Sequence, residues 1–330
     1  MNSPLTGGAM RRRRSVLRRR LLALAAIALA GGGVWATLDG GSSRAPVQAA
    51  ISPNPVALRP PAELARPKPD RAGPPGIQLV GGRAVKVHFR APPRAGLLFD
   101  MHTGEVLWRR RALDPMPIAS LTKIMTAIIV SERTHRGERA RVTREALHYT
   151  GSGVGVLPKG RRVPVEGLLY GMLLPSGNDA AIALADHIAG SDRRFARLMN
   201  LEAEQRGLRC SHFVSSYGLQ RGNRSCAADL GALARVAMSK PRIARVVRHP
   251  SASVRFPIKG GHLYVNSTNP LLRARYPGTI GLKTGFTDPA GHCFVAVVRR
   301  HGRTFGVVLL NSRNPAKNAE TLLDAAFRLR

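Results

Sequence analysis

The chain predicts an α+β fold: an antiparallel sheet flanked by helices, joined to a mostly helical lobe. Three observations predict it. Short apolar runs bounded by turn residues open the structured part of the chain between residues 85 and 108, and they return between residues 279 and 311. Between them, residues 118–247 carry apolar positions at three- and four-residue spacing. A last periodic stretch, Pro315 to Leu329, reads as a closing helix. Terminal segments that build one sheet around a helical middle define this class.

In order, Val85 to Phe89 and Ala95 to Asp100 read as strands, and Met101 to Glu105 as a turn into the strand Val106 to Trp108. After Pro117, the residues Leu121, Ile124, Met125, Ile128 and Ile129 predict a helix that begins near Ser120 and buries one face. Val165 to Leu174 ends at Pro175, since the residue before a proline disfavours helix. Ala180 to Ile188 and Arg194 to Gln205 carry apolar stripes, and Ala227 to Met238 follows a start at Ser225. Thr279 to Lys283, His292 to Arg299 and Thr304 to Asn311 are the returning strands.

Ahead of residue 85 the chain has a different character. Arg11 to Arg14 and Arg18 to Arg20 precede an apolar run from Leu21 to Leu38, the layout of a signal peptide or signal anchor with its basic end in the cytoplasm. Nine prolines between Pro46 and Pro75 make residues 39–84 read as a semi-extended linker. The expected organisation is therefore 1–38 targeting segment, 39–84 linker and 85–330 folded domain, working outside the cytoplasm. The chain closes one helix after its last strand, so attachment to a membrane is expected at the N-terminal end.

The net charge of +33, carried by 44 Arg and 8 Lys against 19 acidic residues, suits an anionic envelope polymer or lipid surface as neighbour. Zinc-finger spacing and RNP-like aromatic runs are missing and aromatics make up 5%, so nucleic acid is not expected as a partner.

The chemistry is carried by three short motifs. Ser120 and Lys123 stand one helical turn apart, a nucleophile and a base if burial or a second cation lowers the lysine's pKa. Arginine cannot replace that lysine as a base, so a lysine kept in a chain so rich in arginine is informative. Ser176-Gly177-Asn178 follows Pro175, and Lys283-Thr284-Gly285 lies on a predicted strand. Each motif alone has a bland reading: a surface pair, a turn tripeptide, an exposed hairpin lysine. Together and in this order, Ser-x-x-Lys, Ser-x-Asn and Lys-Thr-Gly resemble the signatures of the penicillin-recognising serine enzymes. Phe99 to Trp108 and Asn266 to Leu272 extend the likeness, which covers roughly residues 85–330, to the low-molecular-mass penicillin-binding proteins, the D-alanyl-D-alanine carboxypeptidase family.

That resemblance implies a β-lactamase/DD-peptidase-like fold with its site between the two lobes. It makes Ser120 the nucleophile and Lys123 its base, assigns Ser176 to proton relay, and gives Asn178 the task of holding Lys123 and the substrate backbone. Lys283, Thr284 and Gly285 would receive the substrate's terminal carboxylate along a strand edge, and the N–H groups of Ser120 and Phe286 would bind the oxyanion. It implies peptidoglycan stem peptides as substrate and β-lactams as covalent inhibitors. Glu166 precedes the Ser-x-Asn motif at a helix start and reads as a helix N-terminal acid rather than a deacylating base. Cys210 and Cys226 can pair in an oxidising compartment, with Cys293 left as buried filler. No metal-binding spacing involves the ten histidines, so no metal and no cofactor is expected. A DD-carboxypeptidase is the leading expectation, with a DD-endopeptidase or a slow, acylatable β-lactam sensor as alternatives.

Overall fold

The three central strands of the main sheet are apolar on both faces because both faces are covered. The computed structural model describes residues 74–79, 85–149 and 151–329. It begins its regular structure with β1 (Ala95–Asp100) and β2 (Val106–Arg110), and a two-residue strand β3 (Met116–Pro117) leads to a 3-10 turn, Ala119–Thr122. The helical lobe follows as α1 (Lys123–Arg133), β4 (Arg139–Arg141), α2 (Arg144–His148), β5 (Arg162–Pro164), α3 (Val165–Leu173), α4 (Asn178–Ala189) and α5 (Asp192–Gln205). After β6 (Arg224–Ser225) come α6 (Ala227–Ser239) and α7 (Pro241–Val247). A hairpin of β7 (Ser251–Arg255) and β8 (His262–Asn266) and the short α8 (Pro270–Arg273) precede β9 (Thr279–Thr287), β10 (Gly291–Arg300), β11 (Arg303–Leu310) and α9 (Pro315–Arg328).

Five strands pair antiparallel in the order β2-β1-β11-β10-β9, so the first and last strands of the domain meet and β9 is left as an outer edge. Leu97 and Phe99 of β1, Val295 and Val297 of β10, and Val308 and Leu310 of β11 face the helical lobe. Leu98, Phe294, Ala296, Val298, Val307 and Leu309 face α9 instead, where Ala319, Leu322, Leu323 and Ala326 recur at helical spacing. This two-sided burial removes the polar alternation of a half-exposed sheet. Asn314 caps α9 by accepting from Lys317 N, with Pro315 at the first helical position.

Three expectations need correction. Val85 to Phe89 is not a strand: one backbone hydrogen bond, Val85 N to Leu107 O at 2.7 Å, joins it to the edge of β2, and its apolar residues serve packing, with Phe89 edge-on to Trp108. The helix expected from Ser120 begins as a 3-10 turn and becomes α-helical at Lys123. It is also buried on all sides, Lys123 through Val130 without a break, so α1 is the axis of the lobe rather than an amphipathic surface helix. The stretch expected to end the linker is packed at residues 74–79: Ile77 and Leu79 are buried, Gln78 N donates to Gly104 O at 2.9 Å, and Arg235 donates to the carbonyls of Gly76, Met101 and His102. The targeting segment and the rest of the linker lie outside the described residues. Among the described residues no helix is long and apolar enough to cross a membrane.

The Cys210–Cys226 disulfide forms, with Cα atoms 5.5 Å apart. It closes the segment between α5 and α6 and, by loop-closure arithmetic, contributes about 3 kcal/mol. Among the described residues the one grouping of metal-ligating atoms is Cys210, Cys226 and Asp229, and its two sulfurs are spent in this bond.

Because α9 covers the sheet face away from the helical lobe, truncating its core should weaken the fold without touching chemistry. Leu322→Ala is expected to cost about 2–5 kcal/mol in urea unfolding while leaving the reaction rate with a fluorescent penicillin within error of wild type.

Candidate active site

Ser120 lies in the 3-10 turn that joins β3 to α1. Ala119 takes a left-handed φ of 48°, and Thr122 Oγ1 donates to Ala119 O at 2.8 Å, which tightens the turn and sets Ser120 at the mouth of a cleft while Lys123 starts the buried helix. Lys123 Nζ is enclosed by three acceptors: Ser120 Oγ at 3.0 Å, Asn178 Oδ1 at 2.6 Å and the Tyr217 carbonyl at 2.8 Å. Burial first, then the neighbouring Lys283, holds its pKa well below the ordinary lysine range, against an opposing pull from Asp179. As a neutral amine it can donate to Asn178 and Tyr217 and accept from the Ser120 hydroxyl, so the geometry fits a base.

The Ser-Gly-Asn tripeptide supplies the second wall. Ser176 has φ 68° and Gly177 caps α4, so Asn178 is the first helical residue and points back toward Lys123. Its Nδ2 donates to Tyr149 Oη at 3.1 Å, which fixes the amide so that Oδ1 faces the lysine. Asp179 accepts from Val154 N at 2.7 Å and Gly155 N at 2.9 Å, tying the loop between α2 and β5 to the start of α4. Among the described residues, no hydrogen bond joins Ser176 to Lys123 or Ser120.

The third wall is the edge strand β9. Lys283 is buried, donates to Thr284 O at 2.9 Å, and is pushed down to about 7 by burial. Thr284 Oγ1 meets Thr268 Oγ1 at 2.6 Å. Gly285 is required by contact: a Cβ there would lie 2.9 Å from Ser120 N and 3.0 Å from Ile118 O. Phe286 is 53% exposed at the rim, its ring centroid 4.5 Å from that of His292. Ser120, Ser176, Asn178, Thr284, Gly285 and Phe286 all line one cleft of about 450 Å³.

The structure thus brings together the seven residues singled out by the motifs and Phe286 beside them. Glu166 stands elsewhere, in the first turn of α3, where it accepts from Arg242 Nε at 2.7 Å. Tyr149, Asp179, Tyr217 and Thr268 escaped the sequence reading. Tyr217 acts through its backbone carbonyl, for which no side-chain pattern exists, and the other three are recognisable only once distant segments meet.

A serine hydroxyl hydrogen-bonded to a buried amine of lowered pKa, beside a strand edge that carries a second buried lysine, is the arrangement of a serine acyl-transfer enzyme. Residues 89–314 match the D-alanyl-D-alanine carboxypeptidase family, and the chain belongs to that family of serine peptidases. The D-alanyl-D-alanine carboxypeptidase DacF of Bacillus subtilis is 31% identical over 243 residues, 71% of this chain and 62% of the relative's length. A D-alanyl-D-alanine endopeptidase of Pseudomonas aeruginosa is 31% identical over 227 residues, 64% of this chain and 73% of its own. The structure of a mutant Streptomyces K15 DD-transpeptidase matches at a TM-score of 0.68 and 30% identity, over 73% of this chain and 100% of that one.

Two outcomes follow from this geometry. Gly285→Ala should displace the turn that carries Ser120 and cut acylation by a β-lactam roughly 100-fold, measured by stopped-flow, while the melting temperature moves little. Both buried lysines have lowered pKa values in the folded state, Lys283 to about 7, so above that pH and up to the ordinary lysine range the unfolded chain binds more protons at Lys283, and its contribution to stability rises with pH across that window and is lost as pH falls through it, with Lys123 acting in the same direction. Urea midpoints at the two ends of the window should show this rise in wild type and a smaller one in Lys283→Met.

Proposed function

We propose that this protein is a serine D-Ala-D-Ala carboxypeptidase that removes the terminal D-alanine from peptidoglycan stem peptides. The observation that carries the reading is the three-acceptor enclosure of Lys123, which leaves a buried amine no better use than to exchange a proton with Ser120 Oγ. Ser120 attacks the carbonyl of the penultimate D-alanine as Lys123 takes its proton. The tetrahedral oxyanion is received by the N–H groups of Ser120 and Phe286. Collapse breaks the amide, and the leaving amine of D-alanine takes up a proton relayed through Ser176. Water then hydrolyses the ester on Ser120 and frees the shortened peptide.

Substrate recognition falls to β9. The peptide lies along its open edge as an added strand, and its terminal carboxylate meets Lys283 and Thr284. Near pH 7 Lys283 is poised between its two charge states in the free enzyme, and a bound carboxylate would draw it to the ammonium form. Asn178 holds both Lys123 and the peptide backbone. β-Lactams occupy the same cleft and acylate Ser120.

The site of action is the cell envelope, where members of this family work on peptidoglycan. The Cys210–Cys226 bond supports an oxidising compartment. The basic segment before Leu21 supports an N-terminal anchor or signal, and the charge of +33 supports attraction to anionic envelope polymers or lipid head groups. The similarity to a protein named as an endopeptidase favours a second reading, cleavage of cross-links by the same acyl-enzyme chemistry.

The full chain, incubated with a defined pentapeptide muropeptide and a cross-linked dimer and assayed by product mass, separates these readings. Loss of one alanine from the pentapeptide alone is the expected result, absent in Ser120→Ala and in Lys123→Arg. Conversion of dimer to monomers would establish the endopeptidase. A stable penicillin adduct on Ser120 with no product from either substrate would replace both with a β-lactam sensor.

A further inference from the structure

Lys123 receives one of its three acceptors from a segment with almost no regular structure. Tyr217, whose carbonyl it reaches, sits in the middle of the loop that the Cys210–Cys226 disulfide closes. The same loop touches the nucleophile's helix twice more. Ser216 O accepts from Thr126 Oγ1 at 2.6 Å, and Gly218 lies so close to the turn before Ser120 that a Cβ would fall 2.1 Å from Ala119 O. At the far end of the loop, β6 immediately precedes Cys226 and pairs with β3, and Pro117 of β3 leads straight into the turn that carries Ser120. The loop therefore grips both sides of the nucleophile and base.

Its interior is held by small contacts. Asn223 Oδ1 accepts from Val214 N at 3.1 Å, and Asn223 Nδ2 donates to Ser215 Oγ at 3.0 Å and to Gln220 O at 2.9 Å. At the base, His212 and Arg224 exchange two backbone hydrogen bonds, and Asp229 accepts from Cys210 N at 2.9 Å and Ser211 Oγ at 2.8 Å. The disulfide is the covalent link that joins the two ends of this arrangement.

We infer that the Cys210–Cys226 disulfide is a positioning element for Lys123, so that the peptidase reaches its working geometry only after these two cysteines are oxidised. The inference rests on the assignment of Ser120 and Lys123 made above. Closing the bond joins the two sulfurs while the two thiols give up two electrons and two protons to a disulfide-bearing exchange partner, which departs as two thiols. Reopening it would place a thiolate against the Asp229 carboxylate in a buried site, which disfavours the reduced form once the domain has folded. An enzyme built this way is inactive before it meets an oxidising compartment. Its chemistry is thereby confined to the place where its substrate is.

Loosening the loop has a signature that loss of stability alone does not. The groups around Lys123 are Ser120, Asn178, Asp179, Tyr149, Tyr217 and Lys283, and burial is the largest cause of its lowered pKa. Water admitted beside Tyr217 relaxes that burial, so the base requires higher pH to lose its proton.

The test compares full-length wild type, the double variant Cys210→Ala with Cys226→Ala, Asn223→Ala with the disulfide intact, and Leu322→Ala as a matched loss of stability on the opposite face of the sheet. Acylation by a fluorescent penicillin is followed against pH, below every melting temperature. The double variant and Asn223→Ala should both be acylated about 10-fold or more slowly, with the pH midpoint moved to the alkaline side, and Leu322→Ala should show neither change. A lower melting temperature with unchanged rate and midpoint in the double variant would overturn the inference and leave the disulfide a structural staple. Should the double variant not fold, wild type held reduced in dithiothreitol, with both thiols confirmed by mass, decides by the same two readouts. Failure of wild type to form an adduct would overturn the peptidase reading, and this inference with it, whereas loss confined to the loop variants separates the two.

Discussion

The structure depends on one buried amine. Burying an unpaired ammonium is costly, and Lys123 is tolerated at the start of a deeply buried helix because three oxygens surround it and because a neutral form is within reach. Each oxygen comes from a different part of the chain: Ser120 from the turn ahead of α1, Asn178 from the start of α4, Tyr217 from the disulfide-closed loop. Satisfying one lysine therefore requires the turn, the helix and the loop to be in place together. The group that stabilises this meeting point is also the one with a proton to exchange.

The sheet supplies what the helical lobe cannot. β9 is an outer strand, so its backbone edge is free to receive an extended peptide, and its Gly285 lets that edge approach the nucleophile's turn to the limit of atomic contact. The pairing of β1 with β11 closes the domain on itself and leaves β9 at the border with the helices. Lys283 rises from this strand as the second buried lysine; burial lowers its own pKa, and its charge adds to the burial that lowers the pKa of Lys123. The strand and the helical lobe are thus electrostatically linked across the cleft.

Much of this was legible beforehand. Strands around residues 95–108 and 279–311, the run of helices between them and the closing helix follow from periodicity, and the seven motif residues converge with Phe286 beside them. The misses share a cause. Val85 to Phe89 has the apolar character of a strand, but it packs against the edge of β2 rather than pairing with it. The β7–β8 hairpin exposes most of its side chains and left little apolar signal. Tyr149, Thr268 and the Tyr217 carbonyl are placed by tertiary approach, to which local spacing is blind.

By itself the sequence determined the class of fold, the residues proposed for the reaction centre, and the pairing of a serine and a lysine one turn apart, because helical and strand periodicities and short motifs are local properties of the chain. Tertiary structure alone decided that Lys123 would be dehydrated and opposed by Lys283, that Asn178 would turn its oxygen inward, and that a carbonyl from the Cys210–Cys226 loop would complete the enclosure. The reason is physical: a pKa reflects everything within a few ångströms of the amine, and those neighbours lie 55 and 94 residues away along the chain.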